Sequence, residues 1–255
     1  MVTGGNLLFE REQLAPEGAE AAKVAADGLL QASRKMGVTF AGIGSRDLAA
    51  GIAFLQRSQQ PPAFTWLSAN LLDPATRKPL FPVVLHRQVG GVKVAILALT
   101  DHTAMPKGAD TLLVADWRTV LPDLLAKVEK EADFILVLSN YSFSENQEIA
   151  RTHSTIDLIL QAGHAIGNMN PTPINKALLA QTEIRGKYLG VLDIDWNGHG
   201  RWSEGAQSTK EPSASTYAHR FIALKQSLIS DPEIEALVKQ TQRRMDNLQP
   251  GHQSP

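Results

Sequence analysis

The sequence has 255 residues, of which 43% are hydrophobic and 20% charged, and its formal net charge is -1 from 25 basic and 26 acidic residues. This length and balance are typical of an ordinary globular protein with one large domain or two small ones. The near-zero charge makes nucleic acid or an anionic membrane surface a poor candidate partner. Cysteine is absent, which excludes disulfides, thiolate zinc sites and cysteine nucleophiles. No apolar run is long enough to predict a membrane span.

The first half of the chain alternates predicted helices and short strands. Apolar residues at helical spacing predict a helix over residues 16–36, closed by Gly37. Residues 38–43 and 64–68 are predicted strands, with a loop over 44–59 that leads into a second helix. Residues 82–100 are predicted to form two strands joined by Gly90 and Gly91, since glycine tolerates the positive φ of a tight turn.

The second half adds both helices and strands. A helix is predicted over 116–131 with Asp116 as its N-cap, and another over 144–152. Residues 133–138 form a continuous apolar strand, as expected where both sheet faces are covered. Further strands are predicted at 156–161, 177–181 and 188–196, followed by a polar surface hairpin tip and loop over 197–215. The order predicts an α/β fold of layered sheets flanked by helices.

The end of the chain is predicted to be separate from this layered domain. Pro232 in the first turn, with acidic residues beside it, predicts a helix from 231 to about 248. We therefore divide the chain into a domain over residues 1–230 and a linker-type helix with a polar tail over 231–255.

Four segments stand out in chain order: residues 3–6 (TGGN), 44–51 (GSRDLAAG), 139–142 (SNYS), and the strand and loop over 156–166 (IDLILQAGHAI). They resemble the Asp-x-Gly-Asp, Gly-Asn-His-Glu, Ser-His-x-Gly and Gly-Gly-His-x-His loops of the 5'-nucleotidase-type calcineurin-like metallophosphoesterases. Segments 67–70, 90–96 and 184–190 resemble framework strands of the same family. The resemblance spans residues 3–248 and implies an αββα sandwich of two mixed sheets, the N-terminal catalytic portion of that family without its first strand.

The resemblance also implies a site for two divalent cations, such as Mn²⁺, Zn²⁺ or Co²⁺, that catalyse phosphoester hydrolysis. Such a site needs several anionic or imidazole ligands. Most of the matching positions in this chain carry other residue types: Asn6 for the bridging Asp, Ser45 for the ligand Asn, Arg46 for the acid/base His, Asn140 for a ligand His and Ile166 for the last His. His164 alone keeps its ligand type. We therefore expect no metal cofactor and assign no catalytic residue.

Arg46 is the most informative replacement, because a guanidinium stays protonated and cannot ligate a cation. It is suited to binding phosphate or a carboxylate through two parallel hydrogen bonds. The alternative is a structural salt bridge to the adjacent Asp47 or to another acid. His164 is either a hydrogen-bonded loop residue or the one remaining ligand of a weak metal site. The candidate residues of a degenerate, anion-binding site are Asn6, Ser45, Arg46, Asp47, Asn140 and His164.

Three functional interpretations remain open at this stage. The first is a pseudoenzyme, a phosphoesterase-like domain that serves as a scaffold or anion-binding module. The second is a divergent metal-dependent phosphoesterase acting on nucleotides or related phosphoesters, and the third is a fragment whose missing first strand completes the site. Expected partners are a small anion such as phosphate and an additional domain beyond the C-terminal helix. The resemblance implies nucleotide catabolism in the periplasm or outside the cell, with the leader absent from this chain; a cytoplasmic protein is the alternative.

Overall fold

The computed structural model describes residues 1–61, 63–104, 112–163, 167–184, 186–198, 200–204 and 214–248. The helices in these ranges are α1 (Ala19–Lys35), α2 (Ile52–Ser58), α3 (Trp117–Val128), α4 (Phe143–Thr152) and α5 (Pro232–Asp246). The strands are β1 (Phe40–Gly42), β2 (Thr65–Leu67), β3 (Leu71–Leu72), β4 (Val84–Val89), β5 (Val92–Leu99), β6 (Leu113–Val114), β7 (Phe134–Ser139), β8 (Leu158–Gln161), β9 (Met169–Ile174), β10 (Ala177–Gln181), β11 (Tyr188–Asp195), β12 (Trp202–Glu204) and β13 (Ser215–Ala223). No helix in these ranges has the length and apolar character needed to cross a membrane.

The largest sheet has six strands in the order β4-β5-β7-β8-β10-β9. Its four inner strands are parallel, and β4 and β9 pair antiparallel at its two edges. The central strand β7 is buried along its whole length, as its continuous apolar run predicts. Its side chains alternate between two cores, so that Ile135 and Val137 face one and Leu136 and Leu138 face the other.

Shorter sheets form the second layer. Strands β1 and β2 pair in parallel, Thr3 forms a parallel bridge with Ala41 of β1, and β11, β13 and β12 form a three-stranded sheet. Phe40, Leu67 and Tyr217 from these sheets share a hydrophobic cluster with one face of the six-stranded sheet. Helices α3 and α4 cover the other face of the six-stranded sheet, and α1 and α2 cover β1 and β2.

This architecture confirms the predicted mixed α/β fold, with mixed sheets flanked by helices. The prediction of a loop over residues 197–215 was wrong in part, because β12 lies within this range and pairs in parallel with the start of β13. Two longer strands were not predicted. These are β9, an edge strand that contains Pro171 and Pro173, and β13, the central strand of the three-stranded sheet. The C-terminal helix α5 packs against α1, with Lys35 paired to Glu233 at 2.7 Å.

Candidate functional site

The predicted loops meet where β1 and β7 end. Gly44 lies two residues beyond β1 and Asn140 directly follows β7, so both stand at the carboxyl ends of their strands. The bridge between Thr3 and β1 carries the following N-terminal residues to the same edge. Crevices at this edge are the usual ligand sites of α/β sheets. The sequence therefore folds its polar loops toward a place where a ligand site is expected.

Asp47 is the buried centre of this edge. It lies in a 3₁₀ turn, Arg46–Ala50, and none of its surface is exposed. Its Oδ1 accepts hydrogen bonds from the backbone N–H groups of Leu7 and Leu8 at 2.7 and 2.9 Å. Its Oδ2 accepts from the N–H groups of Asn6 and Gly44 at 2.6 and 2.9 Å. Burial raises the pKa of Asp47 to about 6, and the four N–H donors oppose that rise.

Asn6 and Arg46 are joined through the backbone. Asn6 has a φ of 54°, a left-handed conformation that asparagine adopts more readily than most residues. Its Oδ1 accepts a hydrogen bond of 3.1 Å from the N–H of Arg46. The Arg46 guanidinium turns outward, and its Nε lies 3.5 Å from Oε1 of Glu12. The structural salt bridge considered for Arg46 is thus made with Glu12, while Asp47 is occupied by backbone donors.

Asn140 connects three segments through its side-chain amide, and only 2% of its surface is exposed. Its Nδ2 donates to the carbonyl of Gly4 at 2.7 Å, with longer contacts to the carbonyls of Ile43 at 3.3 Å and Leu99 at 3.5 Å. Three surrounding carbonyls fix the orientation of the amide, because only its NH₂ group can face them. Its Oδ1 is buried without a hydrogen-bond partner in the part of the chain that the structure describes.

Close packing explains the glycines of this edge. A Cβ atom on Gly44 would collide with Oδ1 of Asn6 and would lie 2.6 Å from Oδ1 of Asn140. A Cβ on Gly163 would collide with the backbone carbonyl of Asn140. Ser45 is also buried, with 4% of its surface exposed. The structure therefore brings Asn6, Ser45, Arg46, Asp47 and Asn140 together, whereas His164 lies outside the described residues.

These residues do not fit a dinuclear metal centre. Within the described ranges, no group of three or more His, Asp or Glu side chains lies close enough to hold a metal ion. The carboxylate of Asp47 is occupied by backbone donors, and the amide of Asn140 turns its NH₂ group toward carbonyls. Arg46 adds a fixed positive charge next to Asp47 in the same turn. Two dications need several anionic or imidazole ligands, which this set lacks.

A second polar group at the same edge was not predicted. His102 follows β5, and its Nδ1 lies 2.8 Å from the hydroxyl of Tyr141, the residue after Asn140. Its Nε2 faces Oδ2 of Asp116 at 3.9 Å. Burial raises the pKa of Tyr141 well above its usual range, so its hydroxyl stays protonated. The available signal was the position of His102 just after a buried strand that ends at this edge.

Comparison with known proteins identifies the fold. No sequence-family model matches the chain. The structure superposes on a Thermus thermophilus structure described as the sulfate thiohydrolase SoxB with a TM-score of 0.75, 18% identity and 96% of this chain covered. For a 5'-nucleotidase precursor from Thermus thermophilus, the TM-score is 0.72 and the identity is 17%, with 96% of this chain covered. For the calcineurin-like phosphoesterase YfkN of Bacillus subtilis, the TM-score is 0.70 and the identity is 16%, with 97% of this chain covered. The chain has the fold of the calcineurin-like metallophosphoesterases and 5'-nucleotidases.

The relatives with this fold include much longer chains. This chain covers 43% of the SoxB chain, 49% of the 5'-nucleotidase precursor and 84% of the YfkN chain. In sequence it is 26% identical over 133 residues to the uncharacterized metallophosphoesterase YunD of Bacillus subtilis, which is 51% of this chain and 29% of YunD. The metallophosphoesterase fold described here therefore corresponds to one portion of several larger proteins.

Proposed function

We propose that this metallophosphoesterase-like domain is non-catalytic and serves as a scaffold that binds a small anion at Arg46. One observation supports this proposal above all. The buried acid at the site, Asp47, directs both oxygens at backbone N–H groups, and the cation Arg46 stands beside it. A phosphoesterase centre of this family type needs anionic ligands free to bind metal, and this site presents a fixed positive charge instead.

Anion binding follows from the surroundings of Arg46. Its side chain is 38% exposed and that of its partner Glu12 is 41% exposed, with 3.5 Å between Nε and Oε1. A partly exposed pair of this kind contributes about 0–1 kcal/mol, so a ligand with a higher charge can displace Glu12. Phosphate and carboxylate match the two-pronged geometry of a guanidinium. We expect phosphate to bind with a dissociation constant on the order of 1 mM, or about 4 kcal/mol.

Calorimetric titration with inorganic phosphate tests this proposal. Arg46→Ala should abolish the binding heat, because the positive charge is lost while the buried hydrogen bonds remain. Arg57→Ala is the matched control, since Arg57 is an exposed arginine in the last turn of α2 and lies outside the turn that holds Arg46. No phosphate binding by the wild-type protein, or equal binding by Arg46→Ala, would contradict an anion site at Arg46.

A divergent metal-dependent phosphoesterase is the second candidate. The likeness of the fold to a 5'-nucleotidase precursor favours it, together with His102, a histidine at the same strand edge with Asp116 beside its ring. Metal analysis after dialysis, with hydrolysis of bis(p-nitrophenyl) phosphate in Mn²⁺ buffer, separates the two candidates. If the dialysed protein retains two equivalents of metal and hydrolyses the substrate, the metal-dependent candidate would replace the non-catalytic proposal.

Since the chain covers less than half of the SoxB chain, we also propose that a further domain accompanies this one.

A further inference from the structure

We infer that Asn6, Asp47 and Asn140 form a metal-independent clasp, which closes the centre of this strand edge with the protein's own polar groups. The three residues come from the N-terminal segment, the turn after β1 and the end of β7. Their hydrogen bonds join these segments to one another directly. The inference goes beyond anion binding at Arg46 and does not depend on it.

The carboxylate of Asp47 has no capacity left for a cation. A carboxylate offers about four lone-pair positions to hydrogen-bond donors or metals. In Asp47 each oxygen already accepts two backbone N–H groups, with distances between 2.6 and 2.9 Å. A metal bound to either oxygen would leave buried N–H groups without an acceptor, which is costly. Asp47 is therefore not available as a metal ligand while these four hydrogen bonds are in place.

Asn140 closes the remaining space. Its NH₂ group is directed toward the carbonyls of Gly4, Ile43 and Leu99. Its Oδ1 lies beside Gly44, closed off from solvent and without a partner among the described residues. An amide oxygen that water cannot reach cannot bind a cation unless the loops move apart. Among the polar side chains of the loop after β1, the partly exposed Arg46 therefore remains the one that a ligand can reach.

Hydrogen exchange on the wild-type protein tests the clasp without any mutation. The amide protons of Asn6, Leu7, Leu8 and Gly44 should exchange slowly in EDTA, because all four donate to a buried carboxylate. Addition of Mn²⁺ should leave their exchange rates unchanged. Fast exchange in EDTA that slows when Mn²⁺ is added would overturn the inference, because the loops would then need the cation to close.

Asn140→Asp gives a second, independent test. A carboxylate at this position would face three carbonyl oxygens, so we expect the melting temperature to fall by about 5 °C or more. Mn²⁺ should not restore it. The control Asn168→Asp makes the same chemical change at an exposed residue whose Oδ1 accepts the N–H of Glu183, a bond that aspartate retains. An unchanged melting temperature in Asn140→Asp, or its recovery with Mn²⁺, would contradict a closed clasp. If Asn140→Asp fails to fold, the exchange measurement on the wild type decides.

Discussion

Asp157 should make the stability of this protein depend on pH. It precedes β8 at the end of the sheet opposite to the candidate site, where it lines a cavity of about 220 Å³ with Lys176 and Trp196. Its Oδ2 accepts the N–H of Ile135 at 2.8 Å, and only 9% of its surface is exposed. Burial raises its pKa from 3.8 to about 7, although the Ile135 N–H and the charge of Lys176 oppose the rise.

The sign of the effect follows from proton binding. The pKa of Asp157 is 3.8 in the unfolded chain and about 7 in the folded protein. At a pH between these two values, Asp157 is protonated in the folded protein and ionised in the unfolded chain. Folding is therefore stabilised by this group at low pH, and that contribution is lost as the pH rises through about 7. From pH 5 to about pH 7, an interval of about two pH units, the folded protein holds one more proton at Asp157 than the unfolded chain does. Because each pH unit is equivalent to about 1.36 kcal/mol, the loss of stability over this interval is about 2–3 kcal/mol.

Urea unfolding of the wild type and Asp157→Asn at pH 5 and pH 8 measures this loss. Asparagine keeps an acceptor for the N–H of Ile135 but cannot ionise, so the variant should gain stability relative to the wild type as the pH rises. Asp133→Asn is the matched control, because Oδ2 of Asp133 also accepts one backbone N–H, that of Lys93 at 2.9 Å, at an exposed position. If the Asp157→Asn and wild-type profiles run parallel, Asp157 does not titrate as a buried group.

Two further substitutions test the packing behind the site. Gly163→Ala should lower the free energy of unfolding by about 3 kcal/mol or more, because the added Cβ would collide with the Asn140 carbonyl. The control Gly18→Ala has open space around the added Cβ, so it should change the free energy of unfolding by less than about 1 kcal/mol in the same urea titration. Asn70→Ala should cost about 3–5 kcal/mol in thermal or urea unfolding, because the buried Asn70 amide bonds the N–H and carbonyl of Thr100 and the carbonyl of Ala115. An Asn70→Ala loss of under about 1 kcal/mol would show that water replaces these bonds.

The sequence predicted the elements that have a strong local signal. The apolar run of β7 and the helix over 16–36 are examples, because burial on both sheet faces and helical spacing are readable within a few residues. Strand β13 was missed because its half-buried positions include the polar residues Thr216 and His219, while the apolar Ile222 is 40% exposed, so apolar side chains do not alternate with polar ones along it. Strand β9 was missed because Pro171 and Pro173 normally argue against a strand.

The candidate site was predictable as a location but not as a set of contacts. The loops after β1 and β7 could be placed at one edge, because parallel strands end together. The hydrogen-bond partners of Asp47 could not be predicted, since three of them lie about 40 positions away in the chain. Adjacency suggested a bond between Arg46 and Asp47, but the 3₁₀ turn places the carboxylate inward and the guanidinium outward. The choice of partner was thus a property of the tertiary fold.

The two prolines of β9 also affect how copies of this protein behave in concentrated solution. A strand at the edge of a sheet offers unpaired N–H and carbonyl groups to any strand of another molecule, which is a common route to aggregation. Pro171 and Pro173 remove two N–H donors from the six residues of this edge strand. At the opposite edge, β4 carries the exposed, charged Arg87. Each free edge of the largest sheet therefore has its own protection against intermolecular β-pairing, one by missing donors and the other by charge.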